Sequence, residues 1–313
     1  MGAVVTGTTS AVVTAQLRGN RRDVVGSLFA AGLLGALLLS LLILVVLLWE
    51  VFRTGWPVLA DRGVGFLTAG PSSVPASAGI GAALAGSLAM MVIVALVAFP
   101  FGIGAAVYLE EYARDTRVTR FVATNVRNLA GVPSIVYGIL GLVLFVEVLN
   151  RVIDIHDTGS LLSGGLTLAV LVLPIVIITT SEALRAVPRS LREAAFGVGA
   201  TRWEVIRHHV LPAAAPGILT GTVLSLARAF GETAPLLLVG AVNGFFATGD
   251  AGVIERLLRS PYSALPVQIL AWTTVPNEAF KALAAAAILV MMAILLVVNG
   301  VAIWLRNRYE RTW

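Results

Sequence analysis

Cysteine is absent from all 313 residues, and only 12% of the side chains are Asp, Glu, Lys or Arg. The missing thiols exclude disulfides, Cys-ligated metal centres and thiol catalysis. Lysine occurs once, as Lys281 between Phe280 and Ala282. The G-K-[ST] of a Walker A phosphate loop is therefore not present, and nucleotide hydrolysis by that route is excluded. The three histidines, His156, His208 and His209, are too scattered for a metal site, the last two being adjacent rather than a helical turn apart. No metal, no cofactor and no catalytic residue is expected. A soluble domain carries roughly a quarter charged residues, about twice the share found here.

What replaces charge is apolar surface. Hydrophobic residues make up 58% of the chain, and the mean hydropathy is +0.92. Charge-free runs near span length recur, so the expected fold is all-α, a polytopic bundle of six transmembrane helices. Residues 1–23 read as a cytoplasmic tail ending in Arg18, Arg21 and Arg22. The charge-free run 24–49 is too long for a signal peptide and lacks a small-residue cleavage site, so it reads as the first span. Residues 50–78, with Pro57, Pro71 and Pro75, read as an irregular external loop. A five-helix core follows over 79–305, its spans expected near 79–108, 129–149, 166–180, 216–242 and 283–305. The charged stretch after Tyr108 is expected to include a short surface helix, and 306–313 reads as a second cytoplasmic tail.

Arginine placement sets the orientation. Fifteen arginines fall in the first tail, the second-to-third connection, the 183–215 loop and the last tail. Six cations fall on the other side: Arg53, Arg62, Arg151, Arg256, Arg259 and Lys281. The positive-inside rule puts both termini in the cytoplasm. The isoelectric point near 10.2 then follows from topology, and no nucleic-acid partner is implied.

Two places interrupt the apolar pattern. The first is 193–212, E-A-A-F-G-V-G-A-T-R-W-E-V-I-R-H-H-V-L-P. Glu193, Ala194 and Ala195 favour helix, and Arg202 to His209 can continue it. Gly197 and Gly199 permit positive φ between them, so two short helices joined at Gly199 are expected. Pro212 marks the return to the membrane. Both a solvated basic loop and a partner-binding surface fit these residues.

The second interruption is Arg228, the one remaining cation, about 11 residues or ~17 Å into the fifth span. A charge at that depth is costly and should face protein or a water-filled path. Glu232 stands at i+4, within reach of an ion pair. Gly217, Gly221, Ser225 and Ala229 recur on the same helix and allow a neighbour to approach closely. Pro235 cannot hydrogen-bond to Gly231, so the helix should open beside the pair. The pair either locks two helices by mutual neutralisation or lines a substrate path, where an Arg fork suits a tetrahedral oxyanion.

The loop has the spacing of a known family. E-A-A, three residues, Gly, and after a fixed interval L-P resembles the ABC-importer permeases; Glu193, Ala194, Ala195, Gly199, Leu211 and Pro212 meet the pattern. His209 stands where that family usually has Ile. Further strings resemble phosphate importer permeases of the PstA type: Y-L-E-E-Y-A at 108–113, N-L-A-G-V-P-S-I-V-Y-G-I-L-G-L at 128–142, A-R-A-F-G-E-T-A-P-L at 227–236 and Y-S-A-L-P-V-Q-I at 262–269. The resemblance covers roughly 79–308. It implies a type I ABC importer permease fold in a bacterial inner membrane, with no ATPase site of its own. It also implies that Glu193, Ala194, Ala195, Gly199, Arg202, Leu211 and Pro212 form a coupling helix docking on a cytosolic ATP-binding subunit, present in two copies. A second, related permease, an external phosphate-binding protein and membrane lipid complete the implied partners. Arg228 and Glu232 are the implied substrate-path residues for inorganic phosphate, moved by alternating access. A permease for another oxyanion and a motor-free transporter or channel are the competing readings.

Lesser candidates have structural readings beside functional ones. Asn125 and Asn128 suit capping and packing, Tyr137 a core position, and Glu147 an interfacial one. Residues 252–276 and 50–78 are both candidates for contact with a binding protein.

Overall fold

A computed structural model describes residues 24–148, 151, 159–242 and 261–309, all helix, turn or loop. The expected tail at 1–23, the end of the expected 306–313 tail from residue 310 on, His156, Arg256, Arg259 and Arg311 lie outside the described residues, and residues 306–309 continue the last helix. Two compact units are present, Met1–Glu50 and Val51–Trp313. The first unit consists, in its described part, of the apolar beginning of α1 (Val24–Arg62).

In the second unit, α1 continues to Arg62, so the irregular loop expected from residue 50 begins a dozen residues later. Pro57 removes one backbone donor without ending the helix, and Phe52 stacks on Trp56 one turn on, 5.3 Å between centroids. Gly63, at φ 47, stops it. The short α2 (Val64–Thr68) follows. Phe66 of α2 joins Trp272 and Phe280 in an aromatic cluster, each ring 6.3 Å from the next, with the Arg62 guanidinium over Phe66.

The core is carried by α3 (Gly81–Val107) and α6 (Leu161–Arg185). Helix α6 is the most deeply buried of the spans, and its small residues explain why. Ser160 and Ser163 close a reciprocal capping box at its start, and Gly164 and Gly165 admit Tyr262 and Ile93. Two apolar clusters result. The one containing Phe66, Met90, Val94, Leu168, Phe230, Tyr262 and Trp272 fills the end that carries α2. The other, around Ala106, Leu184, Val187, Ala195, Val205, Val210 and Ile218, fills the opposite end.

The third span departs from its expected start. Leu129 belongs to an amphipathic helix, α4 (Arg117–Ala130), and α5 (Ser134–Gly141) runs on as π-helical turns over Leu142–Val148. The two are bent by 104° at the Gly131–Pro133 break, where Pro133 disfavours helical geometry at Val132. Among the described residues, five helices are long and apolar enough to cross a membrane, and the bent pair makes a sixth if it counts as one span.

After α6 come α7 (Arg189–Gly197), α8 (Arg202–Val205) and a π-helical turn over Ile206–Val210. The fifth span, α9 (Leu211–Gly231), stops at Glu232 and restarts as the short α10 (Ala234–Leu238). Finally α11 (Leu265–Thr274) leads to α12 (Glu278–Tyr309).

Candidate functional site

The 183–215 loop has the two short helices and the turn that its sequence requires. Gly199 adopts φ 86 between α7 and α8, a conformation that a side chain would strain. Thr201 caps α8. Its Oγ1 accepts from the Glu204 amide, and its own amide and hydroxyl donate to Glu204 Oε2, both at 2.7 Å. The Thr201 amide and hydroxyl hold the fully exposed Glu204 carboxyl below its ordinary pKa. Ala195 is buried against the second apolar cluster, whereas Glu193, Ala194 and Arg202 are exposed. Leu211 is half-buried, and Pro212 sits in the first turn of α9. His209, the departure from the family pattern, is exposed; Val205, Ile206 and Val210 are the buried positions of that turn. The tip of the loop is apolar: Phe196 (48%), Val198 (85%) and Trp203 (52%) are all exposed.

The base of this loop is held by three consecutive residues. Helix α3 ends in a π-helical turn, Tyr108–Tyr112, and that turn presents Glu110, Glu111 and Tyr112. Glu110 accepts a bidentate pair from Arg185 Nε and Nη2, both at 2.8 Å. Glu111 accepts from Arg192 Nη2 at 2.8 Å, with both side chains largely buried. The same guanidinium donates to the carbonyls of Leu184 and Val187 that close α6. Arg202 lies over the Tyr112 ring at 5.2 Å. Span α3, the end of α6 and the loop are thereby tied at three points.

The second site is the break in the fifth span. Arg228 Nε lies 3.4 Å from Glu232 Oε1, as the sequence spacing requires. Glu232 has nevertheless left the helix, at φ −76 and ψ 129, so the pair bridges a helix end rather than a continuous helical face. Arg228 occupies the last turn, where a cation complements the unpaired carbonyls. Pro235 begins α10, and the backbone there is packed by α5: a Cβ on Gly138 would stand 2.7 Å from Pro235 Cα. The small residues of α9 face α6, Gly217 against Ala183 and Gly221 against Thr179. Beyond them the Arg228 side chain is 51% exposed, while Glu232 is 17% exposed. An exposed guanidinium backed by a covered carboxylate can accept an oxyanion and be neutralised again when the anion leaves.

At the end of the bundle away from the 183–215 loop, an open groove of about 490 Å³ is lined by Ser72, Ser73, Gln268, Trp272 and Thr274. It joins parts of the two segments singled out above as external. Tyr137 is buried and donates to the Leu129 carbonyl at 2.8 Å, and Asn125 donates to the Phe121 carbonyl. Tyr137 is a core residue with a satisfied hydroxyl, and the exposed Asn125 makes a hydrogen bond within its own helix. Glu147 is exposed.

Sequence reasoning missed the three-point tie and the apolar tip. Its only signal was a pair of glutamates directly after a long apolar run, with arginines spread along a distant loop.

The family described as "Binding-protein-dependent transport system inner membrane component" matches residues 98–311. The probable ABC transporter permease protein YqgI of Bacillus subtilis is 35% identical over 57% of this chain and 58% of its own length. The phosphate transport system permease protein PstA of Yersinia pestis is 35% identical over 82% of each chain. Among solved structures, a bacterial ABC transporter involved in importing the acidic polysaccharide alginate aligns with a TM-score of 0.57 at 18% identity. That match covers 93% of this chain and 100% of the other, and at such identity it carries the fold alone.

Proposed function

The chain belongs to the binding-protein-dependent transport system inner membrane component family, and on that footing we propose that it is the permease subunit of an ATP-driven importer of inorganic phosphate. It is a multi-pass inner-membrane protein with the type I ABC importer permease fold. The observation that carries the reading is the loop between α6 and α9. Its base is tied to the membrane helices at three points, and its apolar tip is exposed. That arrangement suits a surface that takes a push from outside and passes it inward. We assign the push to two copies of a cytosolic ATP-binding subunit, with Glu193, Ala194, Ala195, Gly199, Arg202, Leu211 and Pro212 shaping the docking loop. The absence of a Walker A loop fits hydrolysis by that separate subunit.

Phosphate as cargo is supported by the PstA relative and by the exposed Arg228 fork, which suits a tetrahedral oxyanion. In this mechanism Glu232 neutralises Arg228 in the empty state and yields it to phosphate during alternating access. A second, related permease completes the path, and an external phosphate-binding protein delivers the anion near the Ser72–Gln268 groove. Both termini lie in the cytoplasm, as the arginine distribution requires.

Proteoliposomes holding the copurified complex test the proposal. ATP-dependent phosphate uptake is expected, with Arg228→Gln lowering it at least tenfold while the complex still assembles. Uptake by the single chain without ATP, or equal uptake by the variant, would overturn it. Preferential uptake of sulfate or molybdate would reassign the cargo.

A further inference from the structure

We propose that α4 is an interfacial helix that binds anionic phospholipid, with its apolar side in the acyl region and its arginines on the headgroups. The helix has three sides at roughly 100° per residue. Ala123 and Val126 face α6, beside the Glu110–Arg185 pair. A second side carries Val118 (71% exposed), Phe121 (69%), Val122 (41%) and Leu129 (46%), interrupted by the exposed Asn125, whose amide donates to the Phe121 carbonyl. Between these lies a third, polar side with Arg117, Arg120, Thr124 and Arg127, all exposed.

None of the α4 residues is buried, although the helix is strongly divided into apolar and basic sides. The nearest acidic residues in sequence are Asp115, paired with Arg120 at 3.3 Å, and before it Glu111 and Glu110, with Glu111 paired to Arg192. Across the polar edge, Glu110 and Glu182 stand near Arg127, both already engaged by Arg185. Asp115 partly offsets Arg120, so Arg117 supplies the larger share of the outward positive charge. The 104° bend before α5 turns α4 away from the direction of the span it precedes. A helix placed across the span direction, apolar on one side and basic beside it, has the geometry of a helix lying in the membrane plane. Charge complementarity selects the lipid, since each basic side chain near an anionic surface is worth about fivefold in binding.

The absence of cysteine makes the test direct. Phe121→Cys in the full complex, labelled with bimane, is reconstituted into mixed phosphatidylglycerol and phosphatidylcholine bilayers. Either lipid carries brominated chains in turn. Quenching by brominated phosphatidylglycerol is expected to exceed that by brominated phosphatidylcholine about fivefold, the share of one arginine. Arg117→Gln with Arg120→Gln should bring the two lipids to equality. Thr124→Cys, on the polar edge, should show little quenching by either. Added inorganic phosphate should leave the preference unchanged, which separates a lipid headgroup from a free anion. Absence of quenching at Phe121→Cys would mean that protein or water covers this side. Equal quenching by both lipids, retention of the preference in the double variant, or its abolition by inorganic phosphate would equally overturn the proposal.

Discussion

A single carbon decides several contacts in this fold. A Cβ on Gly221 would collide with Thr179, so the fourth and fifth spans approach only because that position is bare. Gly221→Leu should push α9 off α6 at a cost of about 1–3 kcal/mol, seen as a lower melting temperature of the detergent-solubilised complex. Gly197 is the matched control, since nothing stands within 4 Å of its missing Cβ. Gly197→Ala should leave melting unchanged or raise it slightly, by about 0.5 kcal/mol. Equal effects at the two positions would show that helix propensity rather than close packing governs α9. Arg228 obeys different physics. It is exposed beside a helix end, so Arg228→Gln should change transport far more than stability.

Among the elements, the π-helical turn after α3 joins the spans to the loop. Arg192 both neutralises Glu111 and satisfies the Leu184 and Val187 carbonyls. Arg192→Ala should therefore cost more than Glu111→Ala, about 3 kcal/mol for the loss of a partner from a buried pair. A double-mutant cycle on the two should give a coupling of about 1 kcal/mol or more. If Glu111→Ala proves the costlier, the carbonyl contacts of Arg192 contribute little. In a transporting complex, Arg192→Ala should also leave ATP hydrolysis less dependent on transport, because the loop would move without the spans. The capping box of α8 adds a pH dependence. The Glu204 pKa is lowered by Thr201, so its contribution is present above the ordinary carboxylate range and is lost as pH falls through the lower folded value. Glu204→Gln should remove that dependence in hydrogen-exchange rates of the Thr201–Val205 amides.

At the scale of the whole molecule, the membrane class and most spans are legible in hydropathy, because lipid imposes the same apolar run whatever the neighbouring helices are. The Gly199 turn and the opening at Glu232 are legible too, since glycine and proline act through their own backbones. The continuation of α1 past residue 50 was not, because Pro57 and a charged residue on either side of it read as loop signals. Nor was the tie between Glu110 or Glu111 and the arginines of the loop, which joins residues 75 and 81 positions apart. Local pattern is silent at that separation. The exposed tip escaped notice because Phe196, Val198 and Trp203 look like core residues until the fold leaves them outside. Replacing them with serine should leave stability within about 0.5 kcal/mol and abolish copurification of the ATP-binding subunit. Retained copurification would move the docking surface elsewhere.

The π-helical turn at Tyr108–Tyr112 also acts as a vernier in the chain. A π turn holds one more residue than the α turn it replaces. The apolar stripe of α3 and the carboxylates beyond it are thus counted on two scales, one set by lipid and one by the arginines they meet. A homologue one residue shorter here would keep an uninterrupted span and the same composition. Its glutamates would nevertheless arrive roughly 100° around the helix axis, unless the turn tightened to an ordinary α turn to compensate. A one-residue deletion that left the turn untightened should therefore be felt in the loop before it is felt in the membrane.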